Sequence, residues 1–151
     1  MPITLVTGKP GHGKTLFVVG KIFSDLVPMC RKEGRRIYTN IPLQNMTDEE
    51  SDVISVVPNE ELSNWPQWEN CLIIMDEVQD IFPPRASGAK VPDNVAMLNK
   101  HRHGARDLWV ITQHPSLIDF FLKNLVDEHY DVRRPSGLSY SVVEHWPMLN
   151  P

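Results

Sequence analysis

The stretch at residues 8–15, GKPGHGKT, carries the most evident chemistry in the chain. It matches the pattern G-x-x-x-x-G-K-[ST] at every defined position. Gly8, Gly11 and Gly13 open backbone conformations closed to other residues, so successive N–H groups can turn into one concavity and cradle an anion. A helix that starts directly after the loop adds its positive N-terminal end. Lys14 can then reach the β- and γ-phosphates of a nucleoside triphosphate, and the Thr15 hydroxyl can coordinate Mg2+. Gly8, Lys9, Pro10, Gly11, His12, Gly13, Lys14, Thr15 and Leu16 form the candidate nucleotide-binding segment. An ordinary Gly-rich turn would share the composition but not the placement between a strand and a helix.

A second constellation is CLIIMDE, residues 71–77. A buried strand ending in Asp76 would put a carboxylate beside the phosphates, where it can hold Mg2+ through water. Thr15 and Asp76 are the candidate metal residues, and Glu77 the candidate general base that polarises the attacking water. Gln113 is the first polar residue after the apolar run in DLWVITQ; there it can hydrogen-bond the γ-phosphate or the water. Arg102 and Arg106, in KHRHGARDLW, are candidates for an arginine that meets the developing charge, from the same or a neighbouring subunit. Arg85 is a weaker candidate for that role. Solvated acids, a polar strand end and a basic surface turn are the plainer alternatives for these groups.

The elements needed to position them can be read from periodicity. ITLVT (3–7) is a short β-branched run stopped by Gly8. Leu16, Val19, Phe23, Leu26 and Val27 recur at helical spacing, and Pro28 is expected to end that helix. RRIYTN (35–40), VISVV (53–57), CLIIM and DLWVITQ read as further strands. Trp65, Pro66 and Trp68 are expected to pack as a lid or edge. A helix is expected at about 94–103, and another in HPSLIDFFLKNLV with Ser116 as N-cap. Adjacent Phe120 and Phe121 cannot share one core stripe, so one is a candidate for an interface between subunits. EHYDVRR and LSYSVVEHW read as two last strands joined by a turn at residues 135–137. Strands alternate with helices, which predicts an α/β domain with a mainly parallel sheet and a C-terminal strand extension. In such sheets ligands bind beyond the carboxyl ends of the strands, where the polar residues after ITLVT, CLIIM and LWVIT fall.

The chain has 151 residues, enough for one domain over 1–151, with a net charge of −4 at pH 7. That balance does not suggest a large nucleic-acid surface, but it allows a basic pore assembled from several copies. No apolar run approaches the ~20 residues of a membrane helix, and the first apolar stretch is too short for a signal peptide. Cys30 and Cys71 stand alone in apolar surroundings and read as buried thiols. His101 and His103, two apart, do not face each other on a helix and suggest no separate metal site.

GKPGHGKT, TNIP (39–42), MDEVQDIFPPR (75–85), KHRHGARD (100–107) and TQHPSLID (112–119) occur in that order. Together they resemble the N-terminal ATPase domain of the zonula occludens toxin family, which includes the gene I assembly proteins of filamentous phages. The resemblance covers most of the chain. It implies the FtsK–HerA branch of P-loop ATPases, with ATP and Mg2+ bound by the candidate residues of the loop and of CLIIMDE. It implies a homo-oligomeric motor at the cytoplasmic face of the bacterial inner membrane, which helps extrude phage DNA with coat or assembly proteins. Some members are described as toxins that act on tight junctions through a region beyond a membrane helix. This chain stops at Pro151 without such a helix, so it is expected to be the cytoplasmic part of a longer, membrane-anchored protein. Two other readings stay open: a P-loop kinase of a small metabolite, and a toxin-family protein with a vestigial nucleotide fold.

Overall fold

A computed structural model describes residues 2–150. Seven strands form one sheet: β1 (Ile3–Thr7), β2 (Arg36–Thr39), β3 (Ile54–Val56), β4 (Cys71–Met75), β5 (Arg106–Thr112), β6 (Glu128–Arg133) and β7 (Val142–Trp146). Their order across the sheet is β3-β2-β4-β5-β1-β6-β7. Every pairing is parallel except β6 with β7, which is antiparallel. The carboxyl ends of β2, β4, β5, β1 and β6 therefore share one rim.

The central strands are apolar on both faces because both faces are covered. Ile3, Leu5, Cys71, Ile73, Met75, Leu108 and Val110 point into one core; Val6, Leu72, Ile74, Trp109 and Ile111 point into the other. The second core is closed by a long helical segment: α1 (Lys14–Lys21), a π-helical turn (Ile22–Leu26) and α2 (Val27–Glu33). Pro28 does not end this segment. The π turn carries the Val27 N–H back to the Ile22 carbonyl and widens the helix just where the proline lacks an N–H. Gly34, at φ 66°, terminates it instead.

The first core is closed by shorter pieces. These are α4 (Asn59–Leu62), the 3-10 turns Trp65–Gln67, Val78–Asp80 and Met97–Gly104, α5 (Asp93–Ala96) and α6 (Phe120–Asn124); α3 (Asp48–Val53) leads into the edge strand β3. Trp65 is no lid: it is fully buried, while Trp68 stacks on Tyr38 with ring centroids 4.1 Å apart. The helix before β5 is mostly 3-10. The segment after β5 is a 3-10 turn capped by His114, then α6 capped by Asp119 rather than Ser116. Cys30 and Cys71 are free and buried, and burial pushes both thiols up to about 11. Phe120 is 64% exposed, while Phe121 lies under the Arg85 guanidinium at 5.1 Å.

Candidate functional site

The loop at 8–15 leaves the end of β1 and turns into α1 at the rim. Gly13 sits at φ 90°, a conformation that side chains resist. Gly8 is required for space: a Cβ there would lie 2.6 Å from the Val132 carbonyl oxygen of β6. Lys14 is buried at the start of α1, Thr15 is half-buried, and Leu16 is 76% exposed.

β4 ends one residue before Asp76. The Thr15 hydroxyl donates to Asp76 Oδ2 at 2.9 Å, joining groups 61 residues apart. Asn40, just past β2, clamps the Asp76 backbone from the neighbouring strand: its Oδ1 accepts from the Asp76 N–H at 2.7 Å and its Nδ2 donates to the Asp76 carbonyl at 2.9 Å. Asp76 Oδ1 accepts from the Glu77 N–H at 2.9 Å, and Glu77 itself holds φ 49°. The Glu77 carboxylate accepts from Gln79 Nε2, and Gln79 Oε1 accepts from the Thr112 hydroxyl at 2.9 Å. Gln79 thus links the acid pair to the last residue of β5. Gln113, the next residue, is exposed and lines a cleft of about 490 Å³ with Gly8, Lys9 and His12.

On the other side of β1, Thr7 joins the loop to β6. Its hydroxyl donates to Asp131 Oδ1 at 2.7 Å and lies 2.7 Å from His129 Nε2. The Asn150 N–H donates to His129 Nδ1 at 3.2 Å, which leaves the ring proton on Nε2, facing Thr7. Burial holds the His129 imidazolium below its ordinary range. Burial pushes the Asp131 carboxyl up, but hydrogen bonds from Thr7 and Arg133 outweigh it and keep the carboxyl low. The segment between β6 and β7 passes over the phosphate loop. The Arg134 N–H donates to His12 Nδ1 at 3.2 Å, and the Ser141 hydroxyl donates to the His12 carbonyl at 2.7 Å.

Arg102 and Arg106 are not brought to this rim. Arg106 begins β5, roughly 20 Å from its carboxyl end at 3.3 Å per residue. It is 5% exposed, and its guanidinium donates to the Pro66 carbonyl at 2.8 Å and to the Trp68 carbonyl while lying over the Trp65 ring. Arg102 pairs with Asp127 at 3.0 Å, and Asp127 also accepts from the Ile3 N–H at the start of β1. Arg85 is held by Asp119 through two nitrogens.

Asn40 and Gln79 were not singled out as site residues by the sequence, although both lie inside segments that carry the family resemblance, TNIP and MDEVQDIFPPR. Asn40 could have been found, since it is the first side-chain amide after a strand at the ligand-binding rim.

The arrangement offers an anion cradle with an oxygen donor pair beside it and a carboxylate one residue further on. Thr15 and Asp76 suit a hard divalent cation, because both present oxygen and lie within contact of each other. Among the described residues no group of three or more His, Cys, Asp or Glu side chains could hold a metal unaided.

Known proteins place the fold. The model of the zonular occludens toxin (Zot) family matches residues 2–147. ORF301 of Pseudomonas phage Pf3, named as an assembly protein, is 32% identical over 149 residues, which is 95% of this chain and 46% of that protein. The chain thus spans about half the length of that relative. The N-terminal domain of zonular occludens toxin from Neisseria meningitidis superposes with a TM-score of 0.76 at 31% identity, covering 99% of this chain and 85% of that one. The genome packaging NTPase B204 of Sulfolobus turreted icosahedral virus 2, solved with ATP-gammaS, gives a TM-score of 0.63 at 15% identity over 89% of this chain and 75% of that one. The chain is a P-loop NTPase fold that belongs to the zonular occludens toxin family.

Proposed function

We propose that this chain is a Mg2+-dependent, ATP-hydrolysing motor domain for filamentous phage assembly and export at the cytoplasmic face of the bacterial inner membrane. The observation that carries the catalytic part is the 2.9 Å bond from Thr15 to Asp76, which closes the phosphate loop onto an acid. Backbone N–H groups of residues 8–15 and the start of α1 receive the phosphates, and the Lys14 ammonium neutralises the β- and γ-oxygens. Thr15 and Asp76 would hold Mg2+, whose charge would offset that on the phosphate oxygens. The Glu77 carboxylate takes a proton from a water as that water's oxygen attacks the γ-phosphorus. The bond from the γ-phosphorus to the bridging oxygen breaks, and its electron pair leaves with ADP. Gln113 is the amide assigned to orient that water, a reading supported by its place in one cleft with Gly8 and Lys9 of the phosphate loop. Neither Arg102 nor Arg106 takes part in this site within its own chain.

The biological part rests on the relatives: ORF301 is named as an assembly protein of a phage, and B204 as a genome packaging NTPase. In the full-length protein we expect homo-oligomers, membrane attachment through a segment beyond this chain, and phage DNA or coat protein as cargo. The test is phosphate release by the full-length protein with Mg2+ and ATP, with and without single-stranded DNA and coat protein. Release stimulated by either cargo supports the motor. Release in the absence of any acceptor counts against a metabolite kinase. No release under any of these conditions, from protein shown to be folded and assembled, sinks the proposal.

A further inference from the structure

The phosphate loop has two sides. On one, the Thr15–Asp76 bond draws the metal-binding, γ-phosphate end toward β5 and β4. The remainder of a nucleotide must leave on the other side of β1, which is β6 and the hairpin to β7. A cleft of about 400 Å³ lies there, against Gly13. One wall is Leu16 and Phe17 at the start of α1; the other is Arg134, Tyr140, Ser141 and Val143 from the hairpin. Leu16 at 76% exposure and Tyr140 at 59% are among the largest apolar surfaces the chain leaves to water. Phe17 is braced behind by Tyr130, ring centroids 5.4 Å apart. The cleft is built in advance, because the hairpin is tied to the loop through both contacts to His12. The Arg134 guanidinium is anchored to the Ser139 carbonyl at 3.4 Å.

Resting on the proposed nucleotide site, we infer that this cleft takes the nucleoside end of the triphosphate. It holds a flat base by stacking and apolar contact, and discriminates little between adenine and guanine. Stacking on an aromatic or guanidinium face is indifferent to base identity, since every base has a π-face. Reading a base edge needs directed donors and acceptors. Among the described residues that line the cleft there is no carboxylate and no side-chain amide; its side-chain hydroxyls are those of Ser139, Tyr140 and Ser141, the last donating to His12. A hydroxyl that rotates can accept from the adenine amine or donate to the guanine carbonyl, so these groups favour neither base.

Calorimetric titration of ATP, GTP and inorganic tripolyphosphate, each with Mg2+, tests this on the wild type and on Tyr140→Ala, Arg134→Ala and Lys14→Ala. ATP and GTP should bind within about threefold of each other, and tripolyphosphate about tenfold more weakly. Tyr140→Ala and Arg134→Ala should each weaken both nucleotides by about tenfold and leave tripolyphosphate unchanged. Wild-type nucleotide affinity in both variants would overturn the inference. So would an equal loss for tripolyphosphate, which would mean that the hairpin acts only on the phosphate loop. A preference of more than about thirtyfold between ATP and GTP would show that base edges are read, and would overturn it too. If Lys14→Ala changes none of the three ligands, the phosphate-loop assignment itself fails, a pattern none of the other outcomes gives.

Discussion

The two ends of the sheet use the same residue types for opposite purposes. At the carboxyl rim, the acids and amides Asn40, Asp76, Glu77 and Gln79 lie just past the strand ends, half-buried and bonded to one another and to the phosphate loop. At the amino end, charged groups are folded inward as struts. Arg106 binds two main-chain carbonyls. Arg35 pairs with Asp107 at 2.7 Å and donates to the Cys71 carbonyl at 2.8 Å. Asp127 satisfies the first N–H of β1. The direction of the parallel strands, rather than closeness in sequence, decides which charges meet the phosphate loop and which hold the frame.

Substitutions at the rim should remove activity without touching stability. Glu77→Gln should keep ATP affinity and slow cleavage by about 10²–10⁴-fold, read as single-turnover phosphate release beside nucleotide binding. If it fails at binding instead, Glu77 is no base. Lys14→Ala should abolish tight nucleotide binding while its melting temperature stays within a few degrees.

The amino end should behave in the reverse way. Arg106→Ala leaves two carbonyls and a ring face without their partner and should cost about 2–4 kcal/mol in urea unfolding, with nucleotide affinity per folded molecule unchanged. Loss of affinity from a fully folded variant would place Arg106 in the site after all. Arg102→Ala removes an exposed ion pair and should cost no more than about 1 kcal/mol.

The smallest effect is one of pH. His129 is held below its ordinary value of 6.5, so the unfolded chain takes up the proton first as pH falls. Its contribution is full above about pH 6.5 and declines below it, because the folded state resists protonation there. Thermal melts from pH 7.5 to 5.5 should show a shallow loss of stability that His129→Asn flattens.

Much of the rim was legible because Asp76 and Gln113 each follow a buried strand. Asp76 follows five buried residues, and Gln113 follows seven. Arg102 lies just before β5 and Arg106 begins it, but the start of a parallel strand opens at the end of the sheet opposite the phosphate loop. Adjacency to a motif does not show this; strand direction does. Gln79 was hidden because its role depends on a partner 33 residues away at Thr112. The hairpin clasp was hidden for the same reason, since His12 meets Arg134 and Ser141 across 122 and 129 residues. Pro28 misled because a local rule for regular helices does not foresee a widened turn that makes room for the ring.

That widened turn also sets the phase of α2. One residue more than a regular turn at 22–26 rotates everything downstream by about 100° relative to α1. Val27 and Cys30 reach the core only because of this offset, since Val18 and Ile22 fix the other half of the same helical segment. Removing a single residue from 22–26 would take the widening away and leave the phase of α2 unchanged, because the turn absorbs one extra residue. Wound as a regular helix at full length, the segment would instead swing Val27 and Cys30 about 100° away from the core. The irregular turn acts as a gearing tooth, keeping the segment that starts at the phosphates in register with the far end of the sheet.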